Sequence, residues 1–182
     1  MYKLLFSALL LVSTLCTAQE TRREVTHSSG NPALDAKPNS DKVPDAIVFN
    51  TSFKRVVILR FKFGTDLLAG LQKMVQQEKI HNAVILSAVG SVRNYQVHQV
   101  GNRDMPPEDV FVKNSTAPAD IIGMSGVVIN GRVHPHITLA NADKAFGGHL
   151  EPDTTVFTFA IVTLGVLDDN LDLSKVDDWN YR

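Results

Sequence analysis

A change of hydrophobic period between residues 56 and 80 is the strongest constraint on the fold. Residues 56–63, VVILRFKF, place apolar side chains on one side and Arg60 and Lys62 on the other, the alternation that is typical of a strand. The next segment, GTDLLAGLQKMVQQEKI, begins with helix-capping residues, and its apolar positions then recur at helical spacing. These positions are Leu67, Leu68, Leu71, Met74 and Val75. The sequence therefore predicts a strand followed directly by one amphipathic helix.

The remainder of the folded region has the character of strands. Residues 83–100 predict two short strands broken near Gly90, and 101–119 predict a polar connecting loop. Further strand-like segments lie at 120–129, 132–140 and 154–167, and the last is apolar enough for burial on both faces. One helix against many strands is typical of an α+β fold. We expect a compact single domain with a largely antiparallel sheet packed by one main helix.

The first eighteen residues have the layout of a secretory signal peptide. Lys3 precedes an apolar run, and small residues lead to a cleavage point after Ala18. The run is too short to span a bilayer, so the mature chain is expected to have no membrane span; lipid attachment at Cys16 is the competing interpretation. Cleavage would remove the single cysteine, and with it any disulfide or thiolate site. We therefore expect an exported protein, periplasmic or secreted.

Charge and composition limit the possible partners and indicate the segments that flank the domain. The formal net charge is −1, and cleavage would remove one more positive charge, so the chain has no global attraction for nucleic acid. Residues 19–45 are polar and carry three prolines, which predicts a flexible leader outside the fold. The domain is expected over 46–167. An acidic tail follows at 168–182, and its Trp179 is a candidate for docking the tail onto the domain or a neighbouring subunit.

Three of the six histidines stand close together in GRVHPHITLANADKAFGGHL, residues 131–150. His134 and His136 point to the same face of a strand, and a turn at residues 141–144 should bring His149 back opposite them. Three neutral imidazoles without a fourth protein ligand suit Zn²⁺ or another divalent transition metal, with a position left for water or a substrate oxygen. The alternative is that these are ordinary exposed strand histidines beside a glycine turn.

Several residues near the three histidines are interpreted as structural rather than functional. Pro135 lacks a backbone N–H, which favours an edge strand or an irregular ladder. His98 alternates with apolar residues and is interpreted as a strand-surface histidine rather than a ligand. Asp143 and Glu151 are interpreted as solvated turn residues, which leaves no strong general base beside the histidines.

The same stretch, together with VVILRFKFGTDLLAGLQKM and ILSAVGSVRNYQV, resembles the plants-and-prokaryotes conserved (PPC) domain over about residues 56–167. The most specific features are the H-x-H strand, the GGHL turn and the run Arg60, Gly64, Asp66 and Leu67. The resemblance implies an α+β homotrimer in which His134, His136 and His149 bind a metal, usually zinc, near the subunit interface. Many members carry a glutamate in the final strand, where this sequence has Ile161, and that departure weakens a proton-transfer role.

The resemblance also raises DNA binding as an alternative. Plant members bind DNA through a separate Arg-Gly-Arg-Pro core, and bacterial members are often called DNA-binding proteins by analogy. This sequence has no such core, so nucleic-acid binding would depend on a local patch such as Arg60, Lys62 and Arg93.

Four functions thus remain open at the level of sequence. The first is an exported homotrimer whose three-histidine metal site binds a small ligand. The second is a metal-dependent hydrolase or lyase, for which no catalytic residue is assigned. The third is the nucleic-acid binder, and the fourth is a trimer that the metal only holds together.

Overall fold

The computed structural model describes residues 19–25 and 31–182, and within them the chain forms eight strands and two helices. In chain order these are β1 (Glu20–Val25), α1 (Pro32–Asp35), β2 (Arg55–Lys62), α2 (Leu67–Gln77), β3 (Ala83–Val100), β4 (Glu108–Asn114), β5 (Ala119–Ile129), β6 (Arg132–Ala140), β7 (Ala145–Leu150) and β8 (Thr155–Val166). Every described strand pairing is antiparallel, which confirms the predicted α+β class with an antiparallel sheet. The predicted signal peptide, Cys16 and the histidine at position 27 lie outside the described residues.

The long strand β3 organises the sheet. The strand order is β1-β4-β3-β5-β6-β7, and β7 pairs back onto β3, so that β3, β5, β6 and β7 form a closed ring. β8 pairs with the first part of β3, and β2 pairs with β8. The prediction of two strands broken near Gly90 is wrong. Gly90 has φ 143°, and a Cβ there would lie 2.2 Å from the carbonyl oxygen of Phe159, so glycine lets the strand continue past this irregular position.

One side of the sheet faces a single core that α2 completes. Asp66 caps the helix as expected, since its carboxylate accepts a hydrogen bond of 2.9 Å from the amide N–H of Ala69. Leu67, Leu71 and Val75 are fully buried against β2, β6 and β8, which confirms the predicted apolar stripe. No helix in the described part of the chain has the length and apolar character needed to cross a membrane.

The outer side of β2, β8 and the first part of β3 carries exposed apolar residues, together with Arg60 and Lys62 of β2. We call it the β2–β8 face and define it by Val56, Ile58, Val89, Phe157 and Phe159. The exposed fractions run from 38% at Phe159 to 71% at Ile58. The expectation that the last strand is buried on both faces is therefore wrong within one chain. The Phe53 ring covers Gly165 at the end of β8, but Phe157 and Phe159 on the same side are 46% and 38% exposed. Exposed apolar surface of this extent is typical of an interface.

Two strands lie where the sequence predicted none. β1 falls within the predicted leader and pairs along its whole length with β4, which lies inside the predicted loop 101–119. All six residues of β1 are exposed, so the strand is held by backbone pairing with β4 and carries no apolar period. The placement of the entire leader outside the fold is thus wrong for Glu20–Val25.

The C-terminal tail packs back onto the domain. Leu173 is buried, and the side-chain amide of Asn82 donates hydrogen bonds to the carbonyl oxygens of Asp168 and Leu171 at 3.1 and 2.9 Å. Trp179, the predicted docking residue, is partly buried, and the Arg182 guanidinium lies 5.5 Å from its ring centre. The tail is therefore anchored on both sides of the tryptophan, because the Arg182 guanidinium also donates hydrogen bonds to the carbonyl oxygens of Asp35 and Lys37.

Candidate metal centre

Three histidines stand side by side on three adjacent strands. In the register of the sheet, His136 of β6 pairs with His149 of β7, and His149 pairs with His98 of β3. Their flanking residues Ile137, Leu150 and Val97 are buried in the core, so the imidazoles project from the outer side of the sheet. Ring centres are 5.6 Å apart for His136 and His149, and 4.6 Å apart for His98 and His149. These separations follow from the spacing of neighbouring strands, about 4.8 Å.

His134 joins this row from two positions earlier on β6. Its ring centre lies 5.4 Å from that of His136 and 4.9 Å from that of His149. We call His98, His134, His136 and His149 the histidine cluster. The structure thus places the three residues of the predicted metal set side by side with a fourth, because strand alternation and cross-strand register act on all of them at once. Among the described residues, however, the ligand atoms that all lie within 4.8 Å of one another belong to His98, His149 and Glu151 and not to the predicted three.

The hairpin that carries His149 follows the predicted turn. The Asn141 side-chain oxygen accepts 3.0 Å hydrogen bonds from the backbone N–H groups of Asp143 and Lys144, and Asp143 is exposed as expected. β6 lies between β5 and β7, so of the two alternatives for Pro135 the edge strand is wrong and the irregular ladder agrees with the structure. The pairing of β6 with β7 ends at His136, however, and Pro135 lies just beyond it, where its missing N–H leaves no ladder bond unmade.

Two carboxylates form hydrogen bonds with three of the four imidazoles. The Nδ1 atoms of His98 and His149 lie 2.6 and 3.1 Å from Oε1 of Glu151, and Nδ1 of His134 lies 2.6 Å from Oδ1 of Asp177. Because an ionised carboxylate only accepts, these Nδ1 atoms donate, which leaves the Nε2 lone pairs of neutral rings for a cation. The interpretation of Glu151 as a solvated turn residue is wrong, and Asp177 of the tail was not predicted at all.

His98 lies on the outer surface of its strand, as interpreted, but its ring is held by several neighbours. Its Nε2 lies 4.0 Å from Oδ1 of Asp109, and its ring centre is 5.0 Å from that of Phe111. One ligand atom each from His98, His149 and Glu151 all lie within 4.8 Å of one another, and only His149 of these was predicted as a ligand. The side chains of His98 and His149 are partly buried, so solvent still reaches them.

The local electrostatics favour the forms that bind cations. Burial raises the pKa of Glu151, but hydrogen bonds from His149 and His98 outweigh that effect and lower the pKa to about 2. His136 is still open to solvent, but partial desolvation by its neighbours lowers its pKa, and the positive charge that His134, His149 and His98 can carry lowers it further. Glu151 is therefore an anion and His136 a neutral imidazole at neutral pH, as metal ligation requires.

Replacement of Glu151 should show this electrostatic role in the metal-free protein. The folded-state pKa of Glu151 lies below its ordinary value of 4.5, so its stabilising effect is fully present above pH 4.5 and is lost as the pH falls towards about 2. We expect Glu151→Gln to lower the free energy of unfolding by about 1–2 kcal/mol at neutral pH and by progressively less in acid. Urea unfolding across this pH range measures the difference. Asp143→Asn, an exposed acid on the same hairpin, is the control, and a pH-independent deficit for Glu151→Gln would contradict the assignment.

One known protein family matches the part of the chain that contains this site. Residues 49–168, which contain the histidine cluster and Glu151, match the Plants and Prokaryotes Conserved (PCC) domain. This chain belongs to that family. The same domain, abbreviated PPC above, was expected over residues 46–167, and the match covers nearly the same span.

Solved structures with the same fold come from archaea and from a bacterium. The metal-containing protein AF0104 from Archaeoglobus fulgidus is 24% identical with a TM-score of 0.54, over 66% of this chain and 86% of that one. A PPC protein from Pyrococcus horikoshii is 22% identical with a TM-score of 0.55, over 66% and 85%. A protein from Bacteroides thetaiotaomicron, described provisionally as DNA-binding, is 18% identical with a TM-score of 0.51, over 64% and 83%. At these identities the likeness establishes the fold.

One curated relative is much longer than this PPC protein. The bifunctional protein GlmU of Synechococcus sp. (strain JA-3-3Ab) is 30% identical over 115 residues, which are 63% of this chain and 17% of GlmU. The chain therefore spans about a sixth of that relative.

Proposed function

We propose that this PPC protein binds a divalent transition metal, with zinc expected, through the Nε2 atoms of His134, His136 and His149. The observation that carries the proposal is the convergence of the three rings, whose centres lie 4.9 to 5.6 Å apart on one surface. Two of these rings are oriented by carboxylates, which is the usual support for a histidine that ligates a metal. Imidazole donors fit zinc, copper, nickel and iron, and the metal content of the neighbour AF0104 is consistent with this choice.

The site leaves room for a small ligand. Three protein nitrogens leave a tetrahedral ion with one further position, which water or an oxygen of a small anionic molecule can take. The cluster lies on the outer side of the sheet, and His136 is exposed, so a ligand reaches the ion from solvent. We propose that ligand binding at this position is the function of the site.

The proposal includes assembly and export. We propose a homotrimer in which the β2–β8 face is covered by neighbouring copies, because five exposed apolar residues on one sheet face favour association. Export to the periplasm or medium is proposed from the signal-peptide pattern of residues 1–18.

Elemental analysis of the purified protein tests the metal site. We expect His136→Ala to lower the zinc content by about one ion per chain relative to the unaltered protein, because it removes one of three ligands. His81→Ala is the matched control, since His81 is an exposed histidine outside the cluster. Equal metal content in all three proteins would show that His136 does not bind the ion.

Nucleic-acid binding is not proposed for this chain. Arg60 and Arg93, two of the three residues of the suggested basic patch, lie 5.6 Å from the ring centres of Phe159 and Phe63. Arg60 is thus engaged beside the β2–β8 face that trimerisation would cover, and the formal net charge of the chain is −1.

A further inference from the structure

The histidine cluster contains more potential ligands than one tetrahedral ion can use. His134 and His136 lie on one side of His149, whereas His98 and Glu151 lie on the other. His149 therefore belongs to two ligand sets at once. The set of His98, His149 and Glu151 is already compact, because ligand atoms from all three lie within 4.8 Å of one another.

We infer that His98, His149 and Glu151 form a second divalent cation site, one strand away from the site proposed at His134, His136 and His149. The inference deepens the proposed function, with which it shares His149. Two imidazoles and a carboxylate are a nitrogen and oxygen set suited to Zn²⁺, Mn²⁺, Fe²⁺ or Ni²⁺. The ion would take the place of the two Nδ1 protons that Glu151 accepts in the metal-free protein, and these protons would be released to solvent on binding.

The surroundings of this second site support a cation. Asp109 lies 4.0 Å from Nε2 of His98, on the side of the ring away from Glu151, and adds a second negative charge near the site. Phe111 packs against the His98 ring with centres 5.0 Å apart and limits its rotation. The side chains of His98, His149 and Glu151 are only 23%, 21% and 17% exposed, so their geometry is held by packing.

Cross-strand register explains why the two sites would lie together. His136, His149 and His98 are direct neighbours on β6, β7 and β3, and Glu151 follows His149 by two residues on the same side of the chain. One ion would sit towards β6 and the other towards β3, with the ring of His149 between them. Because Nε2 of His149 is assigned to the first ion, Nδ1 of the same ring would hold the second ion after loss of its proton. Both ions would keep positions for oxygen ligands, which makes a phosphate or carboxylate the chemical class of ligand expected.

Metal stoichiometry of the full chain tests the inference. After equilibration with excess Zn²⁺ and removal of loosely bound metal, we expect two ions per chain by elemental analysis and by titration calorimetry. His98→Gln and Glu151→Gln should each lower the ratio to one, and His134→Gln should also lower it to one through loss of the other ion. His81→Gln should keep two. The second site is tested with two variants, and each is checked for an unchanged circular dichroism spectrum. A folding defect in one variant then does not decide the result.

The outcomes separate the two proposals. A ratio of one that falls in His136→Ala but not in His98→Gln or Glu151→Gln would overturn the second site and leave the first intact. A loss in His98→Gln and Glu151→Gln without any loss in His134→Gln or His136→Ala would support the second site and remove the first. A ratio of two that neither His98→Gln nor Glu151→Gln changes would overturn the inference.

Discussion

Gly147→Ala and Gly148→Ala are each expected to destabilise the protein by about 3 kcal/mol or more, the largest effect of any single change considered. A Cβ at Gly147 would lie 2.1 Å from the carbonyl oxygen of Ile137, and one at Gly148 would lie 2.2 Å from the carbonyl oxygen of His98. Both obstacles are backbone atoms of paired strands, so relief requires β7 to move away from β6 or β3. Urea unfolding of the metal-free proteins measures the loss.

Gly123 provides the control for this prediction. It also lies within a strand, β5, but a Cβ there would meet no atom within 4 Å. Gly123→Ala should therefore change the free energy of unfolding by no more than about 0.5 kcal/mol. Because β7 carries His149, Gly147→Ala and Gly148→Ala should also bind less metal than the unaltered protein. Wild-type stability in Gly147→Ala would show that β7 does not pack as closely as described.

Ile58→Glu is expected to convert the proposed trimer into single chains. Ile58 is 71% exposed in one chain, more than any other residue that defines the β2–β8 face, and it pairs with Thr163 of β8. If neighbouring copies cover this face, the variant buries an unpaired carboxylate in each contact, and each such burial costs several kcal/mol, roughly a hundredfold or more in the dissociation constant. Sedimentation analysis at micromolar concentration measures the change in mass.

The second prediction has controls for charge and for folding. Val48→Glu places the same side chain at a position that is 80% exposed and outside the β2–β8 face, so it should leave the assembly unchanged. The circular dichroism of Ile58→Glu should match that of the unaltered chain, because the residue contributes nothing to the core. A trimer that persists in Ile58→Glu would assign the contact to another surface, and a single chain in the unaltered protein would remove the trimer proposal.

Local pattern was sufficient to group the predicted histidines. His134 and His136 share a strand face, and the hairpin to His149 is short, so alternation and one turn determine their proximity. His98 stands 51 residues before His149, and its position depends on the pairing of β3 with β7, which no local period encodes. A usable signal did exist for Glu151, because the spacing from His149 to Glu151 equals the spacing from His134 to His136.

The other differences between sequence and structure also have physical causes. β1 and β4 carry no clear apolar alternation, since β1 is fully exposed and β4 is partly buried at every residue. Such strands are held by backbone hydrogen bonds to the neighbouring strands, so an apolar period in the sequence does not reveal them. Asp177 reaches His134 only because the tail docks through Leu173 and Asn82, a contact between distant parts of the chain. In contrast, α2 was predicted with its cap because all its determinants are local.

The closed ring of β3, β5, β6 and β7 has a consequence for how tightly the cluster can bind. All four histidines are borne by members of this ring, and a slip of any one strand by a single residue would turn its imidazole into the core. Folding alone therefore fixes the positions of the imidazole nitrogens. The conformational entropy of these side chains is lost on folding, so little more of it would be lost when a cation binds.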